Sequence, residues 1–384
     1  MTSYNFQNPF LAPLVQRTEL SAALSLKKAY QLVLDLKGSD LTFKPGDCAA
    51  VLPQNDPAIV EKLLQMSRHK PEETFFDPRF KTSFSFQEFL TYRANLATIT
   101  SKLLKLFYLA QEDQTPKTAL EELLNHPEKL KNYQKNHQLI DLFSAFYPPK
   151  LALSSVLSEL LPLRARLYSI SSSLKYYPEK MHLSVSYVTY TTELGQKRQG
   201  VASHFLTQLA QVGDMVPLYI QNTGHFLLPP DSRPIIMIAA GAGIAPFIAF
   251  LQERKMLLQE PSLSKEPQNW LFFGERKKSL DFYYKDFLTE LETEKFLKLT
   301  TAFSRDQEEK IYVQNRLLEH QEELWSWIKK GANIYLCGNA KLMGKDAEEA
   351  LKTIVQNQAG ISKSEAKTFL SEMAREKRYL KDVY

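Results

Sequence analysis

Residues 234–251 carry no charged or strongly polar side chain, yet Gly241, Gly243 and Pro246 interrupt the run. A stretch of this length could cross a bilayer. The two glycines and the internal proline fit a buried strand, a tight turn and the first turn of a helix better. Glycine supplies the turn, and proline is tolerated where a helix begins. Strands buried on both faces read as continuous apolar runs, and such strands belong to parallel sheets covered by helices. Three further apolar segments, residues 270–274, 297–303 and 333–338, alternate with helical patterns after it. Residues 230–384 are therefore expected to form a parallel-sheet α/β domain, with no membrane span.

Ahead of Pro229-Pro230 the pattern differs. Short alternating segments at residues 30–36, 48–52, 166–170, 182–191 and 215–221 suggest a small antiparallel β-barrel built from residues 1–60 and 149–229. Between them, Asn55-Asp56-Pro57 opens a helical block, with Asp56 as N-cap and Pro57 at the first helical position. Leu103, Leu104, Leu106 and Phe107, then Leu120, Leu123 and Leu124, then Leu139, Leu142 and Phe143 keep helix spacing. Residues 61–148 are read as a helical insertion with few strand signals.

Composition narrows the partners. A chain of 384 residues with 44% hydrophobic and 24% charged residues can bury two or three cores. The net charge of +5 is mixed in sign along the chain; it suits an acidic protein partner or an anionic cofactor and does not argue for nucleic acid. Two cysteines far apart in sequence, Cys48 and Cys337, argue against a disulfide framework, and a cytoplasmic location is expected. The seven histidines show no zinc spacing, and no metal is expected. The first twenty residues lack the apolar core of a signal peptide.

Chemistry-bearing residues collect at five places. Arg166-Leu167-Tyr168-Ser169 sets a guanidinium, a flat ring and a small hydroxyl within four residues. A flavin dinucleotide needs that set for its diphosphate, its ring and its N5 atom; an edge strand with a surface arginine is the plainer alternative. Gly200-Val201-Ala202-Ser203 offers backbone donors and a hydroxyl at a helix start, where Ser203 could equally be an ordinary N-cap. Gly241-Ala242-Gly243 follows the first strand of the α/β domain, where backbone can approach a phosphate or simply make a tight strand–helix turn. Ser304, Arg305, Lys310, Tyr312 and Gln314 could hold a terminal phosphate and an adenine, or form a solvated charged loop. Cys337-Gly338 ends the fourth strand, where ligands meet parallel sheets, though a lone buried cysteine is commonly structural. The sequence ends on an aromatic, Tyr384, where polar tails are usual.

Taken in order, these pieces resemble the ferredoxin–NADP reductase superfamily and, within it, the diflavin reductases. Asn8-Pro9-Phe10-Leu11, Pro45-Gly46-Asp47, Asn55-Asp56, the Arg166 and Gly200 motifs, Gly241 to Phe247, Phe303-Ser304-Arg305, Lys310 to Gln314, Tyr335 to Gly338 and Asp382-Val383-Tyr384 fall in family order. The ending from Arg378 is most similar to the sulfite-reductase flavoproteins of that branch. The resemblance implies an antiparallel β-barrel FAD domain with a helical connecting insertion, followed by an α/β NADP-binding domain. By it, Arg166 and Gly200, Val201, Ala202 and Ser203 hold the FAD diphosphate, Tyr168 and Tyr384 stack on the flavin, and Tyr190 lies near it. Gly241 and Gly243 serve the nucleotide turn, and Ser304, Arg305, Lys310, Tyr312 and Gln314 bind the 2′-phosphate end of NADPH. Ser169, Cys337 and Asp382 match the hydride-transfer trio.

Three positions depart from the family pattern. Only seven residues stand before Asn8, where an FMN domain is expected, so the resemblance implies an electron acceptor on a separate protein, flavodoxin-like or carrying haem or an iron–sulfur group. Ala242 replaces a threonine, and Glu275 replaces a cysteine or asparagine near the nicotinamide. Two other readings share the same residues: an NADPH–flavodoxin or ferredoxin reductase serving several carriers, and a flavin-binding subunit without turnover. If Tyr384 covers the flavin, the nicotinamide must displace it, and only a coenzyme anchored elsewhere can offset the stacking, worth about 0.5–1.5 kcal/mol. Tyr384→Ser should then improve NADH use far more than NADPH use, read as the ratio of the two kcat/KM values. An unchanged ratio would assign Tyr384 to plain packing.

Overall fold

A computed structural model of the chain describes residues 4–258 and 268–383. Tyr384 lies outside the described residues. Two compact units emerge: residues 1–50, 167–187 and 211–384 form one, and residues 51–166 and 188–210 the other.

The first unit opens with six strands in the order Arg166–Ser169, Cys48–Val51, Met215–Gln221, Phe10–Glu19, Ala29–Asp35, Lys180–Ser186. The two edges of this sheet meet: an antiparallel bridge joins Ile170 to Leu183, and Ser171 N donates to His182 O at 2.8 Å. The sheet is thereby closed into a barrel, which satisfies edge groups that would otherwise be exposed. Phe10–Glu19 is not legible from alternation. Pro13 sits within it, opposite Met215, and the pairing slips between Leu14 and Gln16; a proline inside a run argues against a strand. The expected single strand over residues 182–191 divides instead. Lys180–Ser186 stays in the barrel, whereas Thr189–Thr191 pairs with Lys197–Gln199 in a separate ribbon of the second unit.

The second unit is helical, as the spacing predicts. Seven helices run from Pro57–Ser67 to Leu153–Glu159 around Leu63, Leu103, Leu104, Phe107, Leu142 and Phe143, all buried. Asp56 caps the first by accepting from Ala58 N at 2.9 Å, with Pro57 at its start. A hairpin of Thr74–Asp77 and Thr82–Ser85, absent from the sequence reading, lies within the block.

The parallel sheet of the first unit has five strands: Ile235–Ala240, Asn269–Glu275, Leu297–Phe303, Asn333–Gly338 and Tyr379–Val383. Counted along the chain, their order across the sheet is 3-2-1-4-5, and every pair is parallel. Along the first strand the side chains alternate faces. Ile236 and Ile238 join a core with Leu351 and Ile354; Ile235, Met237 and Ala239 join another with Phe247 and Phe250. Both faces are covered, which is why the strand reads as an unbroken apolar run. The order in which the chain adds strands reverses between strands 1 and 4, leaving a crevice at their carboxyl ends. The fifth strand, hidden in a charged C-terminal sequence, sets Asp382 beside Cys337 in register.

One turn holds the barrel strand that carries Cys48. Gly46 has φ of +103°, and a Cβ there would lie 1.8 Å from Phe226 O. Its neighbour Asp47 accepts from Lys44 N at 2.9 Å and Thr223 N at 3.2 Å through its carboxylate, and from Ile170 N at 3.1 Å through its carbonyl. Because the obstruction is backbone, Gly46→Ala should cost about 2–4 kcal/mol in a denaturant melt. A loss below about 0.5 kcal/mol would mean the turn relaxes freely.

Candidate functional site

The barrel strand Arg166–Ser169 and the final strand of the parallel sheet converge on one carboxylate oxygen. Ser169 Oγ donates to Asp382 Oδ2 at 2.9 Å, and the Cys337 thiol points at the same oxygen at 4.0 Å. Ser169 and Asp382 are half-buried, and Cys337 is wholly buried. Cys48, far from this group in sequence, joins it. Burial first, and then the nearby Asp382 charge, push its thiol up to about 12, while Ser169 lies within hydrogen-bonding reach of it. Burial, followed by Asp382 and then Cys48, raises the Cys337 thiol well above its ordinary range. Both sulfurs therefore stay protonated near neutrality, and the Cys337 thiol can donate to the carboxylate without competing with it for charge. Nothing in the sequence marked Cys48 as a neighbour of Cys337: one lies on a barrel strand and the other on the parallel sheet.

The Gly241-Ala242-Gly243 turn lies at the carboxyl end of the first parallel strand, facing this group. It is a single 3-10 turn, Gly241–Ile244, leading into the helix Ala245–Leu257. Its two glycines do different things. At Gly243 a Cβ would stand 2.3 Å from Cys337 O, so that glycine lets the turn pack against the fourth strand. Gly241, at φ of +59°, is needed for the left-handed turn itself. A Cβ there would meet Lys27 Nζ at 2.9 Å and Glu275 Oε1 at 3.1 Å. Lys27 and Glu275 are ion-paired across the turn. Sequence reasoning missed Lys27, which sits in the loop between two barrel strands, 248 residues from its partner.

Farther along the same sheet edge, Ser304 and Arg305 follow the third strand. Their amides donate to Glu275 O at 2.9 Å and Arg276 O at 2.8 Å, which fixes the backbone while the Arg305 side chain stays exposed. Lys310 is exposed, Tyr312 is the 45% exposed N-cap residue of the helix Val313–Glu319, and Gln314 reaches Asp346 Oδ2 at 3.4 Å. Two exposed cations beside an open aromatic at a strand terminus are a donor set suited to an anionic nucleotide.

The remaining candidates stand elsewhere on the chain. Arg166 is exposed and Tyr168 half-buried on the barrel edge strand. In the second unit, Tyr190 is 48% exposed on its short ribbon, and Gly200 precedes the helix Val201–His204. Ser203 is not the N-cap that its position suggested; Gly200 is. The Ser203 hydroxyl is occupied inside the turn, accepting from Val188 N at 3.1 Å and donating to Gly200 O at 3.0 Å. The amides of the first helical turn are thus the groups left for an anion.

A barrel with a helical insertion, joined to a doubly wound parallel domain with polar groups at its switch point, defines a flavin- and nicotinamide-nucleotide-binding architecture. Residues 3–205 match the FAD-binding domain family, and residues 237–349 match the NAD-binding domain of oxidoreductases. The chain belongs to that FAD-binding family. It is similar throughout its length to the flavoprotein alpha-component of NADPH sulfite reductase: 36% identical over 387 residues to that of Bacillus subtilis, and 36% over 395 residues to that of Photobacterium profundum. In both cases the alignment takes in 100% of this chain and 62% of the relative's length. Among the described residues, no helix is long and apolar enough to cross a membrane.

The two protonated thiols give a direct check. At about pH 8.5, where a free thiol is half ionised, iodoacetamide should leave both cysteines of the folded protein unmodified and alkylate both after unfolding. Rapid labelling of the folded protein, seen by intact mass, would contradict the burial.

Proposed function

We propose that the chain is an FAD-dependent oxidoreductase that takes hydride from NADPH and passes electrons to a separate protein acceptor. The observation that carries this reading is the meeting of Ser169, Cys337 and Asp382 at the switch-point crevice, with Gly241 on one side of it and the exposed Arg305 and Lys310 farther along the same edge. When bound, the flavin supplies the conversion between a hydride and single electrons; the protein supplies position and charge.

In this reading Arg166 and the first-turn amides of Val201–Ser203 hold the FAD diphosphate. Tyr168 provides a stacking face, and Tyr190 lies near the ring. Ser169 presents its hydroxyl at the flavin edge, with its proton directed by Asp382. Cys337 packs where the nicotinamide would be delivered. Asp382 keeps a negative charge where the oxidised nicotinamide is positive, so it favours the product side of the transfer over the ground state. Ser304, Arg305, Lys310, Tyr312 and Gln314 bind the phosphorylated adenosine. The acceptor is flavodoxin-like or carries haem or an iron–sulfur group.

The test is anaerobic mixing of the FAD-loaded protein with NADPH or NADH, followed at the flavin absorbance. NADPH should bleach the flavin. Arg305→Ala should weaken NADPH binding about ten- to a hundredfold and leave NADH nearly untouched, since a charge-assisted hydrogen bond is worth about 1.5–3 kcal/mol. Asp382→Asn should slow bleaching about tenfold or more while FAD content is kept. No bleaching by the unaltered protein, or equal losses with both coenzymes, would refute the reading.

A further inference from the structure

The carboxyl ends of the five parallel strands form a row. In order across the sheet come Phe303 with Ser304 and Arg305, then Glu275, then Gly241, then Cys337 with Gly338, then Asp382. With strands about 4.8 Å apart, the row spans roughly 19 Å, room for an extended dinucleotide. On the reading above, the 2′-phosphate lies at one end and the nicotinamide at the other. The bridging diphosphate then crosses the middle, at Glu275 and Gly241. That is where an anion should not be welcome. The Glu275 side chain is only 3% exposed, and its charge is balanced by Lys27, whose side chain is 32% exposed. Arg276 N also donates to Glu275 Oε2 at 2.9 Å. The buried Tyr283 phenol lies nearby, and its proton is held on by burial first and by the Glu275 charge second.

We propose that Glu275 is a counter-anion built into the coenzyme path: it holds Lys27 over Gly241, and the bridging diphosphate of the dinucleotide must compete with it for that lysine. The proposal rests on the NADPH reading. Lys27 is the mobile partner of the pair. Its side chain is long and partly exposed, and it comes from the barrel loop, whereas Glu275 is fixed at a strand end. When Lys27 turns to the diphosphate, Glu275 loses its cation and keeps the Arg276 amide, with the Tyr283 phenol nearby. A buried carboxylate that has lost its cation is costly, and that cost is subtracted from coenzyme affinity. The arrangement makes binding weaker and release of the oxidised coenzyme easier than Lys27 alone would allow. Glu275 therefore sets affinity without touching the reacting atoms.

The experiment measures the affinity of the FAD-loaded protein for NADP⁺ and for adenosine 2′-monophosphate, which has the 2′-phosphate but no diphosphate. Glu275→Gln should tighten NADP⁺ roughly three- to tenfold and leave adenosine 2′-monophosphate unchanged. Lys27→Ala should weaken NADP⁺ alone, and in the double variant Glu275→Gln should add nothing further. Unchanged or weaker NADP⁺ binding by Glu275→Gln, or equal tightening of both ligands, overturns the proposal. If adenosine 2′-monophosphate binds none of the proteins, the NADPH reading fails and the proposal with it. Should Glu275→Gln not fold, Lys27→Ala carries the test, and an unchanged NADP⁺ affinity in it overturns the proposal.

Discussion

The hydrogen bond from Ser169 to Asp382 joins residues 213 positions apart, and much of the architecture is arranged so that it can form. Ser169 is placed by a barrel edge strand that is held by the Asp47 turn. Asp382 is placed by the last parallel strand, whose register against Asn333–Gly338 sets it opposite Cys337. A slip of one residue in that strand would send Asp382 to the other face of the sheet. The site thus depends on two independent registers, one antiparallel and one parallel, each fixed by core packing far from the crevice.

The same geometry explains the electrostatic character of the crevice. One carboxylate receives a hydroxyl and faces two thiols that burial keeps neutral. Such an arrangement keeps the carboxylate as the sole formal charge among the four, in surroundings where charges act over longer distances than in water. A second carboxylate, Glu275, stands farther along the edge but is neutralised by Lys27. The two acids therefore present different faces to an incoming ligand: one is available, the other already paired.

Much of this was legible in the sequence. The apolar run broken by Gly241, Gly243 and Pro246 announced the first parallel strand and its turn, because burial on both faces leaves a continuous signal. Asp56-Pro57 announced a helix start, because capping chemistry is local. Phe10–Glu19 was hidden by Pro13, and Tyr379–Val383 by flanking charges, since edge position and register are tertiary facts. The approach of Cys48 to Ser169 and of Lys27 to Glu275 could not be read either. Cys48 and Ser169 lie on neighbouring barrel strands and Lys27 meets a strand end of the parallel sheet, and no local pattern records such contacts. The trio of Ser169, Cys337 and Asp382 was anticipated through resemblance, not spacing, and its role remains tied to the proposed activity.

The helical unit leaves the barrel after Cys48–Val51 and returns at Arg166–Ser169, and these two strands are neighbours in the sheet. During folding, pairing them means closing the whole intervening segment, an entropic cost that grows with the logarithm of loop length. If the helices assemble first, from contacts close in sequence, the loop is already compact when its ends must meet. Local helical contacts form faster than distant strand pairs. The insertion would then act as an internal folding aid: it converts a distant strand pairing of the barrel into the docking of two ends already held by a structured body.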